Sequence, residues 1–94
     1  MTAVEDEFQW DSANIEHIAR HGVTPEEFEQ VFNNGSHVVL DYTLIRGEER
    51  WSAIGHTDGG RFLIVVWTMR GNATRAVTAF EASRSMVNEY YGAQ

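Results

Sequence analysis

The feature that most restricts the fold is a pair of helix signals placed back to back near the N-terminus. Asp11 is a good N-cap for a helix over residues 12–21, with Gly22 just after its end. Thr24 then caps a second helix, and Glu27 completes a capping box with it. A helical hairpin this tight must bury its apolar side against another layer of structure. The apolar stripe of the second helix consists of Phe28, Val31 and Phe32.

The rest of the chain predicts a sheet. Alternating apolar residues and turn signals place strands over residues 8–10, 37–45, 50–57, 61–69 and 74–80, and a last helix over 82–91. Residues 61–69 are apolar on both faces, which is typical of a central strand. This order predicts an α+β fold, a largely antiparallel meander with helices packed on it. The core residues expected to meet are Phe28, Phe32, Ile64 and Val66.

Size and composition narrow the classes of protein further. A length of 94 residues allows one domain over 1–94, in which the acidic residues 1–7 are expected to form a flexible tail. The absence of cysteine excludes disulfides, a thiol nucleophile and thiolate metal sites. The longest apolar run, 62–67, is far shorter than the roughly 20 residues of a membrane span, and the N-terminus lacks the pattern of a signal peptide. We therefore expect a cytoplasmic protein.

Charge is distributed unevenly along the chain. Residues 1–34 hold eight acidic residues and one arginine, which accounts for the whole net charge of −7, whereas residues 35–94 hold six of each. All seven cationic residues are arginines, whose guanidinium groups suit bidentate contact with carboxylate or phosphate. A chain this acidic does not attract nucleic acid at long range. Contact with RNA would depend on a local arginine cluster or on a partner protein. A cationic partner is expected to dock on the helical segment within residues 1–34, where the excess negative charge lies.

Two histidines form the first candidate cluster. His17 and His21 are four residues apart and so share a helix face, with Arg20 within reach of His17. Three interpretations stand: a zinc site, solvated residues at a helix end where positive charge is favoured, or a group that transfers protons or contacts phosphate. The zinc interpretation lacks an evident third ligand in the sequence and the glutamate of a metalloprotease helix.

The second candidate is one face of a predicted hairpin at Asp58-Gly59. If these are the two turn residues, His56 faces Arg61 and Arg50 faces Trp67. Such a face suits cleavage of a phosphodiester, or it is an exposed sheet surface whose arginines pair with neighbouring side chains. The residues predicted to share this face are Arg50, Ser52, His56 and Arg61.

A second turn determines the direction of Arg75. With Gly71-Asn72 as a two-residue turn, Arg75 faces Thr68 and lies across the sheet from Arg50. A shared site for Arg50, Arg61 and Arg75 would then need a bulge or a longer turn at this hairpin.

Several short motifs occur in a distinctive order along the chain. They are Phe8-Gln9-Trp10-Asp11, Asn14, His17-Ile18-Ala19-Arg20-His21-Gly22-Val23-Thr24-Pro25-Glu26-Glu27, Val31-Phe32, Gly47-Glu48-Glu49-Arg50-Trp51, Ile54-Gly55, Gly60-Arg61 and Arg75-Ala76-Val77-Thr78-Ala79. Together they resemble the BrnT family of toxin ribonucleases over residues 8–90, and the His-Gly-Val run in the helical hairpin is the most specific part.

The resemblance implies a RelE-like fold and an endoribonuclease that needs neither a metal nor another cofactor. It also implies a BrnA-like antitoxin that carries the DNA-binding part of the pair. Such an antitoxin is expected to contact mainly the sheet and the C-terminal helix, where its apolar segments would meet Trp51, Met86 and Tyr90. The short apolar runs predict no membrane partner. Metal-independent RNA cleavage uses the 2′-hydroxyl as nucleophile, while the protein supplies a base, an acid and cations for the phosphate. The residues expected in these roles are His21 or His56 as base or acid, Arg50, Arg61 and Arg75 as phosphate contacts, and Tyr90 to orient the phosphate.

The C-terminal segment departs from the pattern of the family. Phe80 and Val87 stand where arginines are usual, and Met86 stands where a glutamate is usual. Loss of one phosphate-binding arginine is expected to lower the rate by about 100-fold or more, by analogy with loss of an oxyanion donor. Two functions therefore stay open: an active ribonuclease toxin, or a BrnT-fold interaction module that has lost catalysis.

Overall fold

The computed structural model describes residues 7–92, and that part of the chain contains three helices and five strands. In chain order these are β1 (Phe8–Gln9), α1 (Ser12–Ala19), α2 (Pro25–Asn33), β2 (Val38–Ile45), β3 (Glu48–His56), β4 (Phe62–Arg70), β5 (Ala73–Glu81) and α3 (Arg84–Tyr91). The strands form one sheet in the order β1-β5-β4-β3-β2, in which β1 runs parallel to β5 and the other neighbours are antiparallel. The predicted α+β fold is confirmed, and β4 is internal as predicted.

The helical hairpin forms through the predicted caps. The side chains of Asp11 and Thr24 each accept a hydrogen bond from the backbone N–H three residues further on, at 3.0 and 3.1 Å. α1 ends at Ala19, earlier than predicted, because the N–H of Gly22 donates to the Ala19 carbonyl and tightens the last turn. The φ of +74° at Gly22 then directs the chain into α2.

The helical hairpin packs on one face of the sheet. The two layers approach closely at Gly55 of β3, where a Cβ atom would lie 2.5 Å from a methyl carbon of Val31 in α2. A side chain at this position would therefore separate the two layers. The buried cluster between the layers comprises Ile18, Val23, Phe28, Val31, Ala53, Leu63, Val65, Ala76 and Ala79.

The predicted core is correct for α2 but wrong for β4. Phe28 is fully buried, as expected. The residues of β4 in the same cluster are Leu63 and Val65, whereas Ile64 and Val66 point to the opposite face of the sheet. Both faces of β4 are apolar, so its hydrophobic pattern does not define which set of alternate residues meets the helices.

The turn between β3 and β4 corrects a predicted register. The N–H of Thr57 donates to the Arg61 carbonyl at 2.9 Å, and the N–H of Gly60 donates to Thr57 at 3.0 Å, so the loop has three residues rather than two. Gly60 adopts a φ of +83°, which fits a type I turn closed by a glycine bulge. His56 therefore pairs with Phe62 and not with Arg61. Because a slip of one residue exchanges the faces, Arg61 lies on the face that the helices cover.

The turn between β4 and β5 confirms the other predicted register. Arg70 pairs with Ala73 across the two-residue turn Gly71-Asn72, and Arg75 pairs with Thr68 as expected. Further along, a register shift leaves Val77 as an extra residue in β5. The direction of Arg75 is therefore set by the tight turn itself.

α3 closes the chain on the side of the sheet opposite the helical hairpin. The Tyr91 hydroxyl donates to the carbonyls of Ser36 and Ile54 at 2.7 and 3.0 Å, and the Tyr91 ring packs against Phe62 with 4.8 Å between centroids. In residues 7–92, none of the helices has the length and apolar character required to cross a bilayer.

Candidate functional site

An open groove of about 250 Å³ lies where the ends of β3, β4 and β5 meet α1. Its most distinctive feature is a set of three arginines, one from each strand: Arg50, Arg70 and Arg75. The remaining residues of its wall are Ala13, Asn14, His17, Glu48, Thr68, Ala76 and Val77.

The strand registers explain why the arginines converge. Trp51 and Trp67 are paired and point to the helical face, so Arg50 and Thr68, their chain neighbours, point to the other face. Arg75 pairs with Thr68 and shares its face. The sequence predicted that Arg50 and Arg75 lie on opposite sides, and this is wrong. The extra residue in the loop before β4 brings them together, whereas the prediction sought that residue in the turn before β5.

α1 supplies the remaining wall of the groove. The buried Asn14 side chain donates to the Gln9 carbonyl at 3.0 Å and accepts from the Asp11 N–H at 2.9 Å. These bonds fix the first turn of α1 beside β5. His17 follows Asn14 by three residues, which places it on the same helix face, and its side chain borders the groove.

Carboxylates of the chain hold all three groove arginines. Glu48 accepts hydrogen bonds from Arg50 Nε at 3.0 Å and from an Nη atom of Arg70 at 3.2 Å. Asp11 accepts from an Nη atom of Arg75 at 2.8 Å. The hydrogen bond from Arg50, assisted by that from Arg70, holds the pKa of Glu48 below its usual value against the effect of desolvation. The hydrogen bond from Arg75 likewise lowers the pKa of Asp11.

The groove therefore has a local charge unlike that of the whole chain. Three guanidinium groups face two carboxylates there, so positive charge exceeds negative by one even with the histidine neutral, in a chain of net charge −7. A guanidinium has five N–H donors, and one or two of them are used in each of these pairs. The remaining donors can bind an anion that enters the groove.

Arg61 and His56 lie elsewhere and are engaged in structural bonds. Arg61 donates to both oxygens of Glu27 at 3.0 Å and to the Gly22 carbonyl at 2.9 Å, so it fastens β4 to the helical hairpin. His56 contacts Ser36 Oγ at 2.8 Å and the Thr57 carbonyl at 3.1 Å. The predicted single face with Arg50, Ser52, His56 and Arg61 is thus wrong for Arg61, because the register differs by one residue.

His21 and Tyr90 also lie outside the wall of the groove. The His21 ring is 5.9 Å from that of His17 and 6.2 Å from that of Phe80, measured between centroids. Tyr90 belongs to α3 and is 38% exposed. Their predicted catalytic roles stay predictions, as do those of Arg61 and His56.

Sequence reasoning missed two groove residues, Glu48 and Arg70, and did not place His17 with the arginines. A usable signal was present. Glu48 and Arg50 are two residues apart on one strand, as are Thr68 and Arg70 on the next, so each pair shares a face. A three-residue loop ending in Gly60 would have aligned the two pairs. Within residues 7–92, no group of three or more histidine and acidic residues is arranged to hold a metal ion.

Three arginines over an open groove are an arrangement that suits phosphate groups or other anions. The chain matches the family described as ribonuclease toxin, BrnT, of type II toxin-antitoxin system over residues 10–85, and it belongs to that family. The matched segment contains every residue that borders the groove. None of the curated proteins matches the chain. Membership of a type II toxin family implies an antitoxin partner.

Proposed function

We propose that this chain cleaves RNA without a metal ion and binds the scissile phosphate in the groove. The observation that supports this most directly is the convergence of Arg50, Arg70 and Arg75 from three neighbouring strands. Arginine forks bind phosphate oxygens in pairs, and three forks surround the charge that develops on the phosphorus during cleavage. The protein's own cations then perform the electrostatic role that a metal ion has in other nucleases.

The hydrogen-bond partners of the groove arginines favour this role. Arg75 is 19% exposed and is held by Asp11 and by the side-chain oxygen of Gln9 at 3.2 Å. Arg50 and Arg70 share the carboxylate of Glu48. Donors that are fixed before the substrate arrives need no reorganisation during the reaction. In this proposal an RNA phosphate either shares these guanidinium groups with the carboxylates or displaces the carboxylates. Because the whole chain is acidic, the attraction for RNA acts only within the groove and not at long range.

In this proposal the 2′-hydroxyl of the substrate attacks the adjacent phosphorus, and the 5′-oxygen of the next nucleotide leaves. The groove must therefore provide one group that accepts a proton and one that donates a proton. His17 is the histidine that borders the groove, so it replaces the predicted His21 and His56 in the proposed site. Arg61 is left out because it does not border the groove: it lies on the face of the sheet that the helices cover, where one of its Nη atoms donates to Glu27 and Gly22.

Cleavage of a labelled RNA by the purified chain in the presence of EDTA tests the proposal. We expect cleavage by the wild-type chain and a loss of about 100-fold or more in Arg75→Ala. Arg84→Ala is the matched control, because Arg84 is an exposed arginine outside the groove and its loss should leave the rate unchanged. Induced expression in a bacterium should give growth arrest and RNA decay with the control and not with Arg75→Ala. Cleavage that requires an added divalent ion would contradict the proposal.

A second function is favoured by the carboxylates in the groove. Every groove arginine is already paired, and the sequence has Phe80, Met86 and Val87 where the family usually has charged residues. A chain of this kind would persist as an interaction module without catalysis. The EDTA assay distinguishes the two functions, since the module would leave RNA intact while still binding its antitoxin.

We propose further that the partner is a BrnA-like antitoxin that docks on the apolar side of β2. β2 is an edge strand of the described sheet, and its large side chains are unusually exposed, with Tyr42 at 48% and Leu44 at 62%. An edge strand offers free backbone groups, and an antitoxin segment can add to it as a further strand. Leu44→Lys should weaken binding of the antitoxin encoded beside this chain, whereas Asn33→Lys on the exposed part of α2 should not.

A further inference from the structure

Among the described residues that border the groove, Glu48 is the acidic one, and its position points to a chemical role. Resting on the proposed ribonuclease function, we propose that Glu48 is the general base that takes the proton from the RNA 2′-hydroxyl, with His17 as the acid on the opposite wall. Both side chains face the space where the arginines would hold the phosphate. Glu48 belongs to β3 and His17 to α1, so the base and the acid reach the groove from two different elements.

The contacts of Glu48 hold it at the correct place for a base. One carboxylate oxygen accepts from Arg50 Nε at 3.0 Å and the other from Arg70 at 3.2 Å, so both oxygens are oriented. The Nη atoms of Arg50 remain available for a phosphate oxygen. A phosphate bound there would share one planar guanidinium with Glu48. A 2′-hydroxyl next to that phosphate is then within reach of the carboxylate.

The ionisation state of Glu48 agrees with this role. Glu48 is a carboxylate at neutral pH and can accept a proton. The hydrogen bonds from Arg50 and Arg70 lower the pKa of Glu48 and so make it a weaker base than an unpaired glutamate, which means that its contribution comes from its position. As the proton leaves the 2′-oxygen for Glu48, that oxygen forms its bond to phosphorus. The bond from phosphorus to the 5′-oxygen breaks, and His17 in its imidazolium form donates a proton to the departing oxygen. The products are a 2′,3′-cyclic phosphate and a 5′-hydroxyl, and solvent restores both side chains.

Glu49 provides a matched control within the same strand. It follows Glu48 directly, so its side chain lies on the other face of the sheet. There it accepts a hydrogen bond from the Tyr42 hydroxyl at 2.8 Å, away from the groove. The two acidic residues thus have the same chemistry and almost the same chain position, but one faces the groove and the other does not.

The test compares Glu48→Gln with Glu49→Gln in RNA cleavage and in binding of an RNA that has a 2′-deoxy nucleotide at the scissile position. A base contributes about 100- to 10,000-fold, so Glu48→Gln should lose at least 100-fold in kcat/KM while Glu49→Gln stays within twofold of wild type. Binding of the uncleavable RNA should be unchanged or tighter in Glu48→Gln, because a negative charge has left the groove. Glu48→Asp should recover part of the activity.

A pH profile distinguishes a Glu48 that accepts the proton from a Glu48 that only holds Arg50 and Arg70 in position. The described charged and titratable groups that border the groove with Glu48 are Arg50, Arg70, Arg75 and His17, and Asp11 pairs with Arg75 beside it. The acidic limb of the wild-type kcat/KM profile should reflect the proton acceptor Glu48 and should disappear in Glu48→Gln, whereas a limb that comes from Asp11 would persist in that variant. If Glu48→Gln cleaves like wild type, or loses cleavage only in parallel with binding of the uncleavable RNA, the assignment is overturned. Wild-type cleavage in EDTA separately tests the proposed function on which it rests.

Discussion

The two ends of β3 carry the same kinds of residue but use them differently. At the groove end, Arg50 has one of its donors bound to Glu48 and others that can bind an anion. At the opposite end, one Nη atom of Arg61, just before β4, joins the sheet to Glu27 and Gly22 of the helical hairpin, and both ring nitrogens of His56 are bound by Ser36 and Thr57. The difference teaches that residue type alone gives equal candidates, whereas the contacts separate residues that can bind a substrate from residues that hold the fold together.

The length of β3 also separates the residues at its two ends. Arg50 and His56 are six residues apart on one continuous strand, which corresponds to roughly 20 Å. A single phosphate cannot touch both. We therefore expect variants at the groove end of β3 to affect RNA cleavage, and variants at the opposite end to affect the stability of the fold.

The largest expected effect is on catalysis at the groove end. Arg50→Ala should lower RNA cleavage by about 100-fold or more, because it removes a phosphate contact and a hydrogen bond to Glu48. Arg50 is 37% exposed, so the free energy of unfolding should change by no more than about 1 kcal/mol. Cleavage assays combined with thermal unfolding check both expectations. If Arg50→Ala loses cleavage only because the protein unfolds, the contrast between the two ends of β3 does not hold.

The next effect is on stability at the opposite end. In Gly55→Ala, the new methyl group would lie 2.5 Å from Val31 and 3.0 Å from the Cβ of His37, so α2 must move away from β3. Overpacking of this kind costs about 1–3 kcal/mol. Urea unfolding measures the loss, and the cleavage rate per folded molecule should be unchanged. A stability equal to wild type would show that α2 does not press on β3 at this point.

The sequence was sufficient to predict the order of the helices and strands, but it was insufficient to predict on which face of the sheet each side chain lies. Caps at Asp11 and Thr24 and alternation in the strands predicted the element order, because these signals are local. The assignment of Arg50 to a face depended on a single residue in the loop before β4. Asp58-Gly59-Gly60 is compatible with a turn of two or three residues, and alternation reverses with each added residue. Arg75 was placed correctly relative to Thr68, because Gly71-Asn72 forms the expected tight turn.

The site was harder to predict than the fold for a related reason. As isolated charges, Glu48 and Arg70 carry no signal of a shared site, and only the pairing of β4 with both β3 and β5 brings them beside Arg75. His17 was recognised as a polar residue on a helix face, but the face that α1 presents to β5 follows from the contacts of the buried Asn14. Contacts between distant segments have no local signature in one sequence.

A smaller effect is expected from the ion pair that fastens β4 to the helical hairpin. Burial opposes ionisation of Glu27, but hydrogen bonds from Thr24 and Arg61 outweigh it and hold the pKa of Glu27 below its usual value. Arg61→Ala should lower the free energy of unfolding by about 1 kcal/mol at pH 7, since both side chains are partly exposed.

The pH dependence of that loss has a definite sign. A carboxyl group whose pKa is lowered in the folded state stabilises the fold above its unfolded pKa and loses this contribution as the pH falls through the folded value. The difference between wild type and Arg61→Ala should therefore be full at pH 7 and shrink toward pH 3. Urea titrations at both pH values measure it. A difference that grows on acidification would contradict the ion pair.

The smallest expected effect is that of replacing His56, at the end of β3 opposite the groove. His56 was a candidate base or acid from the sequence, and the structure binds its ring nitrogens to Ser36 Oγ and to the Thr57 carbonyl. Glutamine can replace part of this bonding, so His56→Gln should cost about 0.5 kcal/mol of stability. Its cleavage rate should stay within about twofold of wild type, because general acid–base catalysis requires hydrogen-bond reach to the substrate. His17→Gln is the counterpart at the groove and should lose most of the activity. If His56→Gln abolishes cleavage while His17→Gln does not, the reacting phosphate lies at the opposite end of β3, and the arginine groove is not where this chain cleaves RNA.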